Sequence, residues 1–302
     1  MDESWHNSDA EQEAAPPQAT SPYRLQARRE KRLCLLLFGV ALLCCLPTII
    51  HPVIPPHDVS DRYAPMVRAL AAGDWEHAFL PRTQPLLTLL AGGLAFIQVE
   101  PILALKITAS LLFAAGVFPV FFVVRRVFDD WITAGWAAGL YAICSRMVRY
   151  AGEGLRESGK TTALLVSVYG LMRFREDRTW TAAVYVAVGA AGMALVRGEA
   201  LLFAMLALAV LFGTELVSRE NAQWRISFPS KALIAALIFV TLVSPWAYYQ
   251  YKKVGYPVTD YRQAAVIYRT MRKLGVELPR PRIEDLDVSM SKMRRSEQDQ
   301  EP

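Results

Sequence analysis

Residues 51–85 read HPVIPPHDVSDRYAPMVRALAAGDWEHAFLPRTQP, a polar stretch holding Asp58, Asp61, Asp74 and Glu76 and three of the four histidines, His51, His57 and His77. A carboxylate held at a fixed height beside a membrane can take the proton from an acceptor hydroxyl, which makes Asp58 the candidate general base. Asp61, or Ser60 before it, reads as the N-cap of a short helix over 61–73, with Pro65 in its first turn and Gly73 as its stop. Asp58 has no such local duty, and it follows His57 and two stiffening prolines, Pro55 and Pro56. The histidines and acids of this loop could also hold a divalent cation, although their spacing matches no recognised ligand motif.

The elements that must position these groups are apolar. Of 302 residues, 53% are hydrophobic, and they fall in long uncharged blocks such as LCLLLFGVALLCCLPTII over 33–50. That pattern predicts an all-α polytopic membrane protein. Candidate spans are 33–50, 102–124, 131–147, 159–174, 179–196, 200–217 and 231–251, seven in all. The apolar stretch 84–99 is short and carries Pro85, Gly92 and Gly93, and orientation decides its role. RLQARREKR before the first span places the N-terminus in the cytoplasm. With 84–99 as an interfacial helix, Arg125–Arg126, 173–178 and 218–231 become short basic cytoplasmic loops; if it spans, all three become external. The expected organisation is a disordered cytoplasmic leader over 1–32, a transmembrane module over 33–251 with its first external loop at 51–101, and an external polar tail over 252–302. That tail carries eleven Lys and Arg, against the charge rule. Met66, Val67 and Leu70 form an apolar face in the first loop, and Trp75 and Phe79 read as interfacial anchors.

The net charge of +5 sits in loops beside apolar blocks, so it predicts contact with lipid rather than with nucleic acid. Cys34, Cys44, Cys45 and Cys144 lack disulfide or metal spacing and read as small buried apolar groups. GLRESGKT over 154–161 matches the phosphate-binding pattern GxxxxGK[ST], but no soluble strand precedes it and the topology puts it outside, away from nucleotide.

Five motifs in order carry a family resemblance: D…RYA…RAL..GDW followed by PLL in the first loop, FFVVRRVF at 121–128, YAGEGLRES at 150–158, LVRGEALL at 195–202 and SPWAYYQYKKVGYPV at 244–258. Together, over roughly residues 33–260, they resemble GT-C glycosyltransferases, and most of all the branch of protein O-mannosyltransferases and lipid A aminoarabinose transferases. The resemblance implies a catalytic Asp in the first external loop, surface helices in that loop, and a sugar donor carried on a polyprenyl phosphate. Asp58 stands five residues before Tyr63 and Asp61 two before it, where the family spacing is four, so both remain candidates. Gln84 stands where the family has the first proline of its PPL element. External cations would balance the donor phosphate, and Arg82, Arg149, Arg156, Lys160 and Arg197 map to that side. Arg197 and Glu199 occupy the family's TRPEG-like element, and Glu157 would orient the acceptor or the sugar.

The expected function is transfer of the sugar to a hydroxyl of a lipid, glycan or protein acceptor at the external face of, by expectation, a bacterial inner membrane. No cofactor is required by this reading, and a divalent cation is the one candidate. A non-catalytic assembly partner is the first alternative, favoured by the short chain and the shifted Asp spacing. A lipid or sugar transporter is the second; it predicts mid-span polar groups and inverted repeats, neither of which stands out.

Overall fold

The computed structural model describes residues 22–51, 56–81, 83–220, 223–226, 229–255, 261–274 and 276. Its long helices are α1 (Pro22–Ile50), α5 (Pro101–Ala115), α6 (Val117–Phe128), α7 (Trp131–Ala142), α9 (Glu157–Asp177), α10 (Trp180–Val196), α11 (Leu201–Leu216) and α12 (Ser230–Val254). Between α1 and α5 lie α2 (Ala64–Ala71), α3 (Trp75–Ala78) and α4 (Pro85–Phe96); α8 (Ser145–Gly152) follows α7, and α13 (Tyr261–Lys273) follows α12. Among the described residues the fold is helical apart from one antiparallel ribbon, β1 (Val217–Glu220) with β2 (Gln223–Ile226), paired Val217 to Ile226.

Among the described residues, four segments are long and apolar enough to cross a membrane: Gln26–Ile50, Pro101–Phe128, Gly198–Leu216 and Ser230–Val254. Their outward faces are strongly apolar, with Leu43 64%, Ile50 73% and Leu202 74% exposed, a surface that suits lipid rather than water. At 12 residues α4 is about 18 Å long, too short to cross the ~30 Å hydrocarbon layer. α7 also has 12 residues, because the helix expected over 131–147 breaks at Ile143–Cys144 before α8 begins. Residues 22–32, expected in the disordered leader, form the first turns of α1, since Arg, Gln, Glu and Lys are good helix formers. The polar tail expected from 252 likewise contains the ordered helix α13.

Local chemistry explains where the helices begin. Glu100 accepts from Leu103 N at 2.7 Å and precedes Pro101, while Asp130 accepts from Ile132 N and Thr133 N. The buried Glu215 of α11 accepts from Lys231 N at 3.0 Å and Ala232 N at 2.5 Å, so one helix end caps the start of α12. α5 and α6 are two parts of one rod, parted at Gly116, where Pro119 removes the next ladder donor. Side-chain hydroxyls take up the carbonyls there: Tyr141 donates to Phe113 O and Thr162 to Leu112 O.

α10 is the hub of the bundle. Its buried face is built from Ala182, Ala183, Ala187, Ala190, Ala191 and Ala194, so neighbouring backbones come close. The approach to α9 is closest at Gly189, where a Cβ would lie 2.5 Å from Ser167 Oγ.

Ion pairs sort the helix ends into two groups. Arg125 reaches Glu30 at 3.3 Å, Arg126 pairs with Glu176, and Lys231 lies over the Trp180 ring at 5.9 Å, which gathers the start of α1, α10 and α12 with the end of α6 and α9. The opposite end carries α2–α4, the α8–α9 turn, the α10–α11 turn and the end of α12.

Candidate functional site

The first loop is anchored before it presents any acid. From His57 the chain is already helical, and Val59–Tyr63 forms a single π-helical turn that runs into α2. Val59 and Tyr63 point into the core, and Asp58 and Asp61 stay partly exposed. Asp61 is therefore inside the turn and not the expected N-cap; its carboxylate takes Ser60 Oγ at 2.8 Å and His57 Nε2 at 2.9 Å. Asp58 pairs with Arg62 Nη1 at 3.1 Å, one turn along, so it too has a local partner that spacing did not reveal. Gly73, at φ +78°, ends the loop helix as expected, and Asp74 then caps α3. The His77 side chain and backbone hold the Asp74 carboxyl below the usual carboxylate range.

Tyr63 is buried among charged neighbours. Burial pushes its phenol pKa up, the Arg156 guanidinium opposes that, and the negative charges of Asp58 and Glu157 push it further up. Asp58, Glu157 and Arg156 thus share one electrostatic neighbourhood around a buried phenol.

The arginines knit the loop to the bundle. Arg156 Nη1 donates to Gln84 Oε1 at 3.0 Å and to Tyr63 OH at 3.3 Å, joining the α8–α9 turn to the start of α4 and to the π turn. Gln84 is 1% exposed, so the residue that replaces the expected proline supplies the buried acceptor for Arg156. Arg197 Nη1 donates to Glu157 Oε1 at 3.2 Å and its Nε to Glu199 Oε2 at 3.0 Å. The other Glu157 oxygen is buried without a hydrogen-bond partner. Arg149 turns away to Glu153 at 2.8 Å with most of its side chain exposed. Lys160 forms no hydrogen bond or ion pair among the described residues, and Arg82 lies outside them.

Lys106 is a site residue that the sequence reading passed over. It is 6% exposed in the second turn of α5 and donates to Thr48 O at 3.1 Å, satisfying a carbonyl at the end of α1 with a positive charge. A lysine inside an otherwise uncharged apolar block was the signal that could have found it. Gly154, at φ +79°, lets the α8–α9 turn cross over Lys106, where a Cβ would stand 3.3 Å from its backbone nitrogen.

An apolar cavity of about 670 Å³ lies between the first loop and α12. Trp75, Phe79, Leu89, Leu242, Trp246 and Tyr249 line it. Phe79, expected as a lipid anchor, instead packs edge-on against Trp246 and Tyr249 at 6.1 and 6.2 Å. Tyr249 OH donates to Phe79 O, Gln250 Nε2 to Pro81 O at 2.9 Å, and Lys253 pairs with Glu76 at 3.3 Å, so α12 clamps the first loop. Pro85 and Leu195 also line the cavity, which places it next along the chain to Gln84 and two residues from Arg197.

Two sequence patterns do not become sites. His57 and His77 each pair with a neighbouring acid, and no group of three or more His, Cys, Asp or Glu gathers to hold a metal among the described residues. GLRESGKT forms a turn and the first residues of α9, with Gly159 packed within the helix and α8 rather than a strand before it. Comparison with known proteins finds no matching family model, no matching curated protein and no matching solved structure.

Proposed function

We propose that the chain is a multi-pass membrane glycosyltransferase of GT-C type that moves a sugar from a polyprenyl-phosphate donor to an acceptor hydroxyl. In this reading α1, α5–α6, α7 continued by α8, α9, α10, α11 and α12 make seven crossings with the N-terminus in the cytoplasm, the 12 residues of α7 being too few to cross alone, and α2–α4 rest on the external face. The observation that carries the reading is an aromatic-lined apolar cavity whose lining residues Pro85 and Leu195 stand one and two residues along the chain from Gln84 and Arg197 of the arginine and carboxylate cluster. The cavity suits an isoprenoid chain, and the cluster suits the phosphate and sugar it bears.

Arg156 spends only Nη1 on Gln84 and Tyr63, and its remaining donors can meet a phosphate oxygen. Arg197, held by Glu157 and Glu199, sits in the neighbouring turn. Asp58 takes the acceptor hydroxyl proton, the freed oxygen attacks the anomeric carbon, and the anomeric C–O bond to phosphate breaks. Polyprenyl phosphate leaves with the bonding electrons, and the arginines stabilise that charge. Asp58 is preferred over Asp61 because its charge reaches the buried Tyr63–Arg156 pair.

The test compares Asp58→Asn and Asp61→Asn with wild type for transfer, donor binding and unfolding midpoint. Asp58→Asn is expected to abolish transfer with the other two readouts unchanged. Full activity in Asp58→Asn overturns the assignment of the base. Tight donor binding without turnover in wild type identifies the non-catalytic assembly partner instead.

A further inference from the structure

The external tail contains a helix with two chemically opposed faces. Along α13, Ile267, Met271 and Leu274 recur at helical spacing and stand 38%, 38% and 70% exposed. Arg269, Arg272 and Lys273 lie on the opposite side and are exposed as well. A soluble tail has no reason to hold an apolar stripe open to water, and a helix docked on the bundle would bury it.

The anchoring of α13 fixes its height. Gln263 Nε2 donates to Gly198 O at 2.9 Å. Gly198 is where the span-length apolar segment Gly198–Leu216 begins, and Leu202 and Phe203 are exposed within its next turn. The helix is thereby held where the apolar belt of the bundle meets its polar end. α12, another span-length segment, ends at Val254 shortly before it, with Lys252 and Lys253 in its last turn.

We infer that α13 is an interfacial helix that lies on the bilayer, with Ile267, Met271 and Leu274 in the acyl boundary and Arg269, Arg272 and Lys273 on anionic lipid headgroups. Charge complementarity selects the occupant: an apolar stripe backed by three cations matches an anionic membrane surface. This binding also accounts for basic residues in a tail on the external side, because they are recruited to headgroups rather than acting as orientation signals. The inference rests on the membrane placement of the helices and not on the transfer chemistry, so failure of the transfer assay leaves it standing.

The test is amide hydrogen exchange over 261–274 in the full chain, reconstituted in nanodiscs of phosphatidylcholine alone or with phosphatidylglycerol. A basic residue near an anionic surface contributes about fivefold, so the three together are expected to slow exchange by roughly a hundredfold in the anionic discs. High salt and the triple variant R269Q/R272Q/K273Q should remove that difference, and Met271→Asp should raise exchange in both lipids, with α10 unchanged in every case as the control for folding. Equal exchange in the two lipids overturns the inference. So does protection that persists in neutral discs and ignores the triple variant, which would show the stripe covered by a second copy or by residues 277–302.

Discussion

Replacing Arg156 with methionine removes one nitrogen that donates to two buried acceptors, Gln84 Oε1 at 3.0 Å and Tyr63 OH at 3.3 Å. A hydrogen bond from a charged donor contributes about 1.5–3 kcal/mol, and the longer bond to Tyr63 belongs at the low end. Arg156 itself is half-buried, which discounts the sum for solvent replacement, so the expected loss is about 2–4 kcal/mol. Arg156→Lys keeps the charge on a shorter stem that cannot span both acceptors, and should lose about half as much. The assay is reversible denaturant unfolding in mild detergent, run as a double-mutant cycle with Gln84→Met. A coupling of about 1–2 kcal/mol is expected between residues separated by 72 positions in the chain. Additivity within about 0.5 kcal/mol would show that the pair does not hold the loop to the bundle, and the clamp would have to be abandoned.

Three further outcomes follow from the same geometry. Gly189→Val places a side chain against Ser167 N and Ala163 O at 2.6 and 2.7 Å, and should lower stability by at least about 1–3 kcal/mol, while Gly93→Ala, with nothing within 4 Å, should not destabilise; unfolding midpoints compare the two. Lys106→Met leaves Thr48 O without its donor and should cost about 1–3 kcal/mol, seen as faster hydrogen exchange at the end of α1. Because the folded-state pKa of Tyr63 is raised, its contribution is complete below the unfolded tyrosine value of ~10 and is lost as pH rises from there through the folded pKa; Tyr63→Phe should flatten the alkaline limb of the stability profile, and an unchanged limb contradicts the burial argument.

Most of the long helices were legible because they are written in contiguous apolar residues. Gly73 acts within a turn of where it stands, so local reading finds it. The short helix α4 was legible from its length and from the charge balance of the loops that follow it. What was hidden depends on distant partners. Glu215 could be placed near a helix end but not recognised as the cap of α12, because the amides it holds come 16 and 17 residues later. Gln84 looked like a departure from a motif until Arg156 was found against it. Asp58 and Asp61 were visible as acids, yet the π turn that gives them different neighbours rests on backbone geometry that residue types do not encode.

The central claim is sugar transfer from a lipid-linked donor with Asp58 as the base. The most direct measurement supplies purified full-length protein, in discs, with a panel of radiolabelled polyprenyl-phosphate sugars and counts label moved to acceptor, with Asp58→Asn beside wild type. Label transferred by wild type from one donor, and lost in Asp58→Asn, is the result expected. Transfer from no donor in the panel, or equal transfer by both proteins, contradicts the account.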